Sequence, residues 1–313
     1  PVPGHVCAKV QTAMENKEVC TVNNKNAAAE KTGSIVLNGD DIRTDNVHGL
    51  TYKGFGLLSA NSTSDLLMDY KSQNPEAYAR LLQYLFGGEH PIMTHVKLEM
   101  GNDRNNSTGS EASTKRSRYE MTNILRNPGW QLAADAKRMN PNVRVSILSW
   151  CMPAWVKTDA DKYLWYKQSI LAAYEQYGFM VDYINPNTNE AWSKQNDVAR
   201  TKKFAKWIAE ESSETIKDEK ELALFHKIKL VVSDEANVVS AEVAQILKSD
   251  QEFMDAVDVV GYHYKTADDR NGGMKWLAEE EDKEVWNSEA QAVFSNSAFR
   301  PSNNVKDPEE EGT

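Results

Sequence analysis

The sequence predicts an α/β protein, a (β/α)8 barrel of the TIM type that lacks its eighth strand in this chain. Three observations lead there. From residue 34 onward, short β-like runs alternate with longer helical stretches. The repeat recurs every 30–45 residues or so, the size of a strand–helix unit of a parallel sheet. Residues 50–290 hold seven such runs, close to the ~250 residues of a complete barrel. A doubly wound open sheet is the structural alternative, but it normally carries a Gly-rich phosphate turn after its first strand. Gly54-Phe55-Gly56 supplies two glycines and lacks the third of that fingerprint.

In order, the β-like runs are 54–59 (GFGLLS), 95–100 (HVKLEM), 143–150 (VRVSILSW), 179–184 (FMVDYI), 228–234 (IKLVVSD), 257–264 (VDVVGYHY) and 284–290 (EVWNSEA). Between them, Asn74-Pro75 opens a helix whose Tyr78, Leu81, Leu82 and Leu85 share one face. Pro128 opens a second, and 164–177, 197–211 and 240–249 follow the same pattern. Residues 1–33 are polar, rich in Asn, Lys and Ala, and read as a linker or the tail of an upstream domain. Residues 34–295 read as the catalytic barrel, and 296–313 as a C-terminal extension truncated before the eighth strand.

Composition narrows the function. The 313 residues are 40% hydrophobic, with eight Trp, twelve Tyr and eight Phe, enough to bury a core and to exclude whole-chain disorder. A formal net charge of −10 argues against a nucleic-acid partner, which calls for a basic face, and against docking on anionic lipid. No apolar run approaches a membrane span. Cys7 and Cys20, separated by twelve residues, are either one disulfide or two thiols. With Pro1 in first place and no signal peptide, the chain reads as a mature form or a fragment.

A parallel barrel collects its chemistry at the C-terminal ends of its strands. Two carboxylates stand there on opposite sides: Glu190 after the fourth strand and Glu289 at the end of the seventh. Glycosidic bond cleavage needs such a pair, one acid to protonate the leaving oxygen and one carboxylate to attack the anomeric carbon or to activate water. Asn189 beside Glu190 can hydrogen-bond a sugar 2-hydroxyl. Trp150 and Trp155 follow the third strand, where an indole face can pack on a pyranose, or on the barrel itself. His263 can hydrogen-bond a carboxylate at the edge of the sixth and seventh strands. Glu99 reads as a buried structural acid, and Asp234 and Glu235 as helix caps. The six histidines are scattered without HExxH spacing, and there is neither a P-loop nor a GxSxG elbow, so no metal and no cofactor is expected. Asn61-Ser62-Thr63 and Asn106-Ser107-Thr108 match the glycosylation sequon, but a glycan on these loops would obstruct the site, which leaves Ser107 as a sugar contact.

The blocks GFGLLSANSTSDLLMDY, HVKLEMGNDRNNSTGSEAS, RMNPNVRVSILSWCMPAWV, VVSDEANVVSAEV, VDVVGYHY and EVWNSEA together resemble the catalytic barrel of the galactosylceramidase (galactocerebrosidase) family of retaining glycoside hydrolases, over residues 50–295. The resemblance implies a (β/α)8 barrel and hydrolysis of a terminal β-galactosyl group, typically of a glycolipid, with no cofactor. It implies Glu190 as acid/base, Glu289 as nucleophile, and Asn189, Trp150 and the Ser107 hydroxyl as sugar contacts. Gly101-Asn102-Asp103 departs from the family's Gly-Gly-Asp, and the family's downstream domains have no counterpart before Thr313. The expected partner is a carbohydrate or glycolipid substrate, in a secreted or lysosomal setting. Two other readings stay open: a retaining β-glycosidase of different sugar specificity, and a catalytically silent carbohydrate-binding fragment.

Overall fold

The computed structural model describes residues 5–10, 17–22, 52–60, 63–103, 111–263 and 272–289. The chain divides into two compact units, residues 1–46 and 47–313. In the first, β1 (His5–Val10) pairs antiparallel with β2 (Lys17–Val22). The sequence reading placed no regular element here, because two six-residue runs are hidden in Asn- and Lys-rich surroundings. Their register sets Cys7 opposite Cys20, a backbone placement compatible with the disulfide considered above.

The second unit holds one parallel sheet in sequential order: β3 (Phe55–Ser59), β4 (Met93–Glu99), β5 (Arg144–Leu148), β6 (Tyr183–Ile184), β7 (Lys229–Ala236), β8 (Val259–His263) and β9 (Glu284–Glu289). All seven β-like runs are strands. A flat sheet would hold β4 and β9 five spacings apart, roughly 24 Å. Instead Lys97 Nζ on β4 lies 3.4 Å from the Ser288 carbonyl oxygen on β9, and the His95 and Trp286 rings meet at 5.0 Å. The sheet therefore curls back on itself into a nearly closed barrel. His95, Tyr183 and Trp286 fill its interior as an aromatic layer, with Tyr183 and Trp286 edge to face at 4.7 Å. This layer floors the barrel and directs the polar groups beyond it, Lys97 among them, toward the C-terminal ends of the strands.

The helices are α1 (Thr63–Gln73), α2 (Pro75–Phe86), α3 (Pro128–Met139), α4 (Asp159–Tyr177), α5 (Lys194–Glu210), α6 (Glu219–Phe225), α7 (Asn237–Ser249), α8 (Gln251–Ala256) and α9 (Gly273–Glu279). Two begin at Asn-Pro. Asn74 and Asn127 each accept a backbone N–H of the first turn, and the proline that follows has no N–H to leave unsatisfied. Helix α4 begins earlier than its apolar periodicity suggests, because Thr158 and Asp161 form a reciprocal capping box. It ends at Gly178, whose φ of 79° suits glycine. No helix of the described residues is long and apolar enough to cross a membrane. Residues 290–313, on which the reading of a missing eighth strand rests, lie outside the described residues.

Between sheet and helices lies the main core, whose largest fully buried side chains include Trp130, Trp165, Tyr166 and Phe204. Phe204 on α5 meets Tyr163 and Tyr166 of α4 edge-on, at 5.3 and 6.0 Å. Replacing Phe204 by Ala removes this joint between two helices and leaves a cavity. The expected loss is about 3–5 kcal/mol in urea unfolding, and a loss below about 1 kcal/mol would show that the two helices are held by other contacts.

Candidate active site

The site begins with an irregularity in β7. Ser233 pairs with Gly261 and Glu235 with Tyr262, which leaves Asp234 as an extra, bulged residue. Ser233 (φ 70°) and Asp234 (φ 50°) both occupy the left-handed region, as does Glu190 (φ 56°). Such conformations cost on the order of 1–3 kcal/mol each for non-glycine residues, so the surrounding contacts must hold them.

Those contacts centre on Asp234, which is 1% exposed. Its carboxylate lies 3.1 Å from Lys97 Nζ, accepts the Asn185 amide at 2.9 Å and accepts the Ser288 hydroxyl. Burial by itself would raise its pKa, but Lys97 and His263 outweigh burial and hold the carboxyl well below the usual range. Gly261 makes this packing feasible. A Cβ there would fall 2.3 Å from Asp234 Oδ1 and 2.6 Å from Ser288 Oγ.

His263 carries the network to the two predicted carboxylates. Its ring is fully buried, with Nε2 3.7 Å from Asp234 Oδ1 and Nδ1 2.9 Å from Glu190 Oε1 and 3.8 Å from Glu289 Oε2. Burial opposes its charge, yet the bond and charge of Asp234, aided by Glu190, raise its pKa above the ordinary value. With a proton on Nδ1, the ring donates to Glu190 Oε1. One carboxylate oxygen of Glu190, one of Glu289 and a ring nitrogen of His263 all lie within 4.8 Å of one another. Three such donors could surround a cation, but the raised pKa of His263 favours a proton on the nitrogen a metal would need.

Glu190 is delivered by the loop after β6. Asn185, Asn187 and Asn189 are all buried, and each is used. The Asn185 side chain accepts the Asn187 N–H at 2.8 Å, and the Asn187 amide donates to Thr201 at 3.1 Å. Buried Lys162, pushed down to about 7 by burial, donates to the Asn187 carbonyl at 2.8 Å. Asn189 Nδ2 points to Glu289 Oε2 at 3.4 Å. The Glu190 N–H reaches across to the Asp234 carbonyl at 3.2 Å, which ties the loop to the bulge.

Asn189, Glu190, His263 and Glu289, placed together from the sequence, thus share one site. Half-buried Trp150 follows the end of β5. Trp155 is structural: it packs against the core, and its Nε1 donates to the Lys115 carbonyl at 3.1 Å. Ser107 lies outside the described residues. Glu99 is buried, as expected. The reading of Asp234 and Glu235 as helix caps is corrected, because the bulge turns Asp234 into the Lys97–His263 network. Glu235 is 5% exposed, and burial, above all, pushes its carboxyl up to about 7. Sequence reasoning also missed Lys97. The signal was there: a lysine two residues after His95 and two before Glu99 gives β4 a polar inward face.

Residues 52–306 match the model of glycosyl hydrolase family 59. The chain belongs to that family. It is 28% identical to a galactocerebrosidase of Salmo salar over 263 residues, which cover 79% of this chain and 34% of the relative. It is likewise 28% identical to a galactocerebrosidase of Homo sapiens over 230 residues, 69% of this chain and 30% of the relative. The chain thus spans about a third of the length of the curated relatives it matches. Among solved structures, SrfJ from Salmonella typhimurium superposes with a TM-score of 0.63 at 16% identity, covering 80% of this chain and 60% of that one. The endo-β1,6-glucanase BT3312 does so with a TM-score of 0.55 at 13% identity, covering 77% and 57%. Both support the barrel fold.

The network has a working pH window. The lowered pKa of Asp234 makes its contribution to stability full above the unfolded carboxylate range and lost as pH falls through the depressed folded value. The raised pKa of His263 makes its contribution full below about 6.5 and lost as pH rises through the folded value. Asp234→Asn keeps the shape and leaves Lys97 as a buried, uncompensated cation. The expected loss is about 3–5 kcal/mol in denaturant unfolding at pH 6; a loss under about 1 kcal/mol would contradict the central place given to this carboxylate.

Proposed function

We propose that this chain is a retaining exo-β-galactosidase that removes a terminal β-galactosyl residue from galactosylceramide or a related glycoside by double displacement. The separation of the two carboxylates carries the reading. Oxygens of Glu190 and Glu289 within 4.8 Å fit the roughly 5–5.5 Å of retaining enzymes and fall short of the roughly 6.5–9.5 Å that leaves room for water in inverting ones.

In the first step a Glu289 oxygen attacks the anomeric carbon, while Glu190 gives its proton to the glycosidic oxygen and the bond to the aglycone breaks. In the second, Glu190, now a carboxylate, takes a proton from water. The water oxygen attacks the same carbon and expels Glu289. One water is consumed and a sugar and an alcohol are released, so the atoms balance without a cofactor. Asn189 Oδ1 is buried without a protein partner and is the acceptor for the sugar 2-hydroxyl, a contact that strengthens in the transition state. His263 orients Glu190, the Trp150 face receives the C–H face of the pyranose, and the Ser107 hydroxyl contacts the sugar. The galactosyl preference follows the name galactocerebrosidase carried by the relatives. The greater length of the relatives suggests further domains that complete the substrate cleft, and the expected setting is secreted or lysosomal.

The test is turnover of aryl glycosides by the full chain, with proton NMR of the first-formed sugar. β-Galactoside is the expected substrate and β-galactose the first product. Glu190→Gln should lower turnover of poor leaving groups by about 10²–10⁴ and affect activated ones far less, while Glu289→Gln should abolish both. α-Galactose appearing first, a preference for β-glucoside, or unchanged turnover in the Glu190 variant would each overturn a stated part of the reading.

A further inference from the structure

A recess opens at the end of the barrel opposite the carboxylate pair. Three successive connections wall it, α3 to β5, α4 to β6 and α6 to β7, all at the N-terminal ends of the strands. Its volume is about 530 Å³, within the roughly 300–1,000 Å³ of small-molecule sites. Phe179, Met180 and Val181 are buried in its depth, and half-buried Tyr177 and Leu224 flank them. The Tyr177 and Phe179 rings lie nearly parallel, 6.3 Å apart with 18° between their planes. Tyr183 also lines the recess, which therefore reaches the underside of the aromatic floor.

The same walls carry four cations, Lys137, Arg138, Lys227 and Lys229, against one carboxylate, Asp182. Two of the four are spent on the fold. Lys137 stands 3.4 Å from Asp182, and Arg138 pairs with Asp135. Asp182 is further engaged by the Val145 N–H at 2.8 Å. Lys227 and Lys229 have no carboxylate partner among the described residues, and the Lys229 ammonium stands 5.9 Å from the Tyr183 ring centre. Two uncompensated lysines at one apolar recess run against a chain of formal net charge −10.

We propose that this recess binds a soluble phosphate monoester with a flat apolar body, of the size of an aryl phosphate, its head on Lys227 and Lys229 and its body against Tyr177 and Leu224. The site is separate from the carboxylate pair and does not depend on the glycosidase reading. Two ammonium groups match a dianionic head, and each supplies a charge-assisted hydrogen bond. Inorganic phosphate would leave the apolar walls in water, whereas an aryl body covers them and gains by their burial. Exposed Lys227 lies at the rim, and the apolar side chains lie deeper. The ligand accordingly enters body first. A phospholipid in a bilayer presents its head first and would set that head against the apolar depth.

Calorimetric titration of the full chain with phenyl phosphate tests this. One saturable site is expected, and inorganic phosphate should bind at least about tenfold more weakly. Lys227→Ala and Lys229→Gln should each weaken phenyl phosphate about tenfold, the scale of one lost charge-assisted hydrogen bond. Lys227 is exposed, so its truncation leaves the fold intact. Lys217→Ala, which removes an exposed lysine outside the recess, should leave the affinity unchanged. Saturating galactose should leave it unchanged too, as should Glu289→Gln. Absence of saturable binding, equal affinity for inorganic phosphate, or an equal loss in the Lys217 variant would overturn the proposal. Competition by galactose would place the probe at the carboxylate pair and overturn it as well. So would binding to phosphatidic acid vesicles without binding of the soluble probe, which would point to a membrane surface. Hydrolysis plays no part in these readouts, so a failure of the glycosidase reading leaves them intact.

Discussion

One buried charge, Asp234, ties the barrel together where the chemistry is. Its two oxygens are reached from four other strands or their tips: Lys97 on β4, Asn185 after β6, His263 on β8 and Ser288 on β9. A carboxylate in that position is expensive unless every partner is present, because desolvation of an unpaired ion costs several kcal/mol. The partners therefore constrain one another. Closing the sheet so that β9 faces β4 supplies Lys97 and Ser288 together, and the same closure brings Glu289 to within reach of Glu190. Gly261 belongs to this constraint, since no side chain fits between Asp234 and Ser288.

The loop that carries Glu190 is held in place for a related reason. Its three asparagines are turned inward, where their amides replace the hydrogen bonds that a regular strand would have made. Pro186 has no N–H to contribute to a ladder, which helps explain why β6 is only two residues long. The strain at Glu190, Ser233 and Asp234 is concentrated where the loop meets the bulge. Packing and polar contacts from α4 and α5 support that junction, including Lys162 on the Asn187 carbonyl and Tyr166 on the Asn185 carbonyl at 3.0 Å. In the proposed mechanism this support holds the nucleophile and the acid within the small tolerance that catalysis allows.

Much of the scaffold was legible because parallel strands buried on both faces read as continuous apolar runs, as in Val-Val on β7 and again on β8. Helices α2 and α3 were legible from Asn-Pro starts and an apolar stripe. Helix α1 was not, since Leu66 is exposed and the apolar stripe of TSDLLMDYKSQ is weak. Helices α6, α8 and α9 are six or seven residues long, too short to show a period. Glu190 and Glu289 could be found because strand tips are where a barrel works. Asp234 and Glu235 could not be assigned, because a bulge shifts the alternation by one residue and reverses which side chain faces inward. Asp234's partner Lys97 sits more than a hundred residues away in sequence, so only the closed sheet reveals the pairing.

In the proposed mechanism this organisation presents Glu289 as the nucleophile to a sugar held against Glu190. The most direct measurement is to incubate the full chain with a 2-deoxy-2-fluoro-β-galactosyl compound bearing a good leaving group, which slows release of the glycosyl-enzyme, and then to map the peptides by mass spectrometry. The expected result is a single fluorogalactosyl adduct on Glu289, lost in the Glu289→Gln variant. An adduct on Glu190, or turnover without any covalent adduct, would contradict the assignment at its centre.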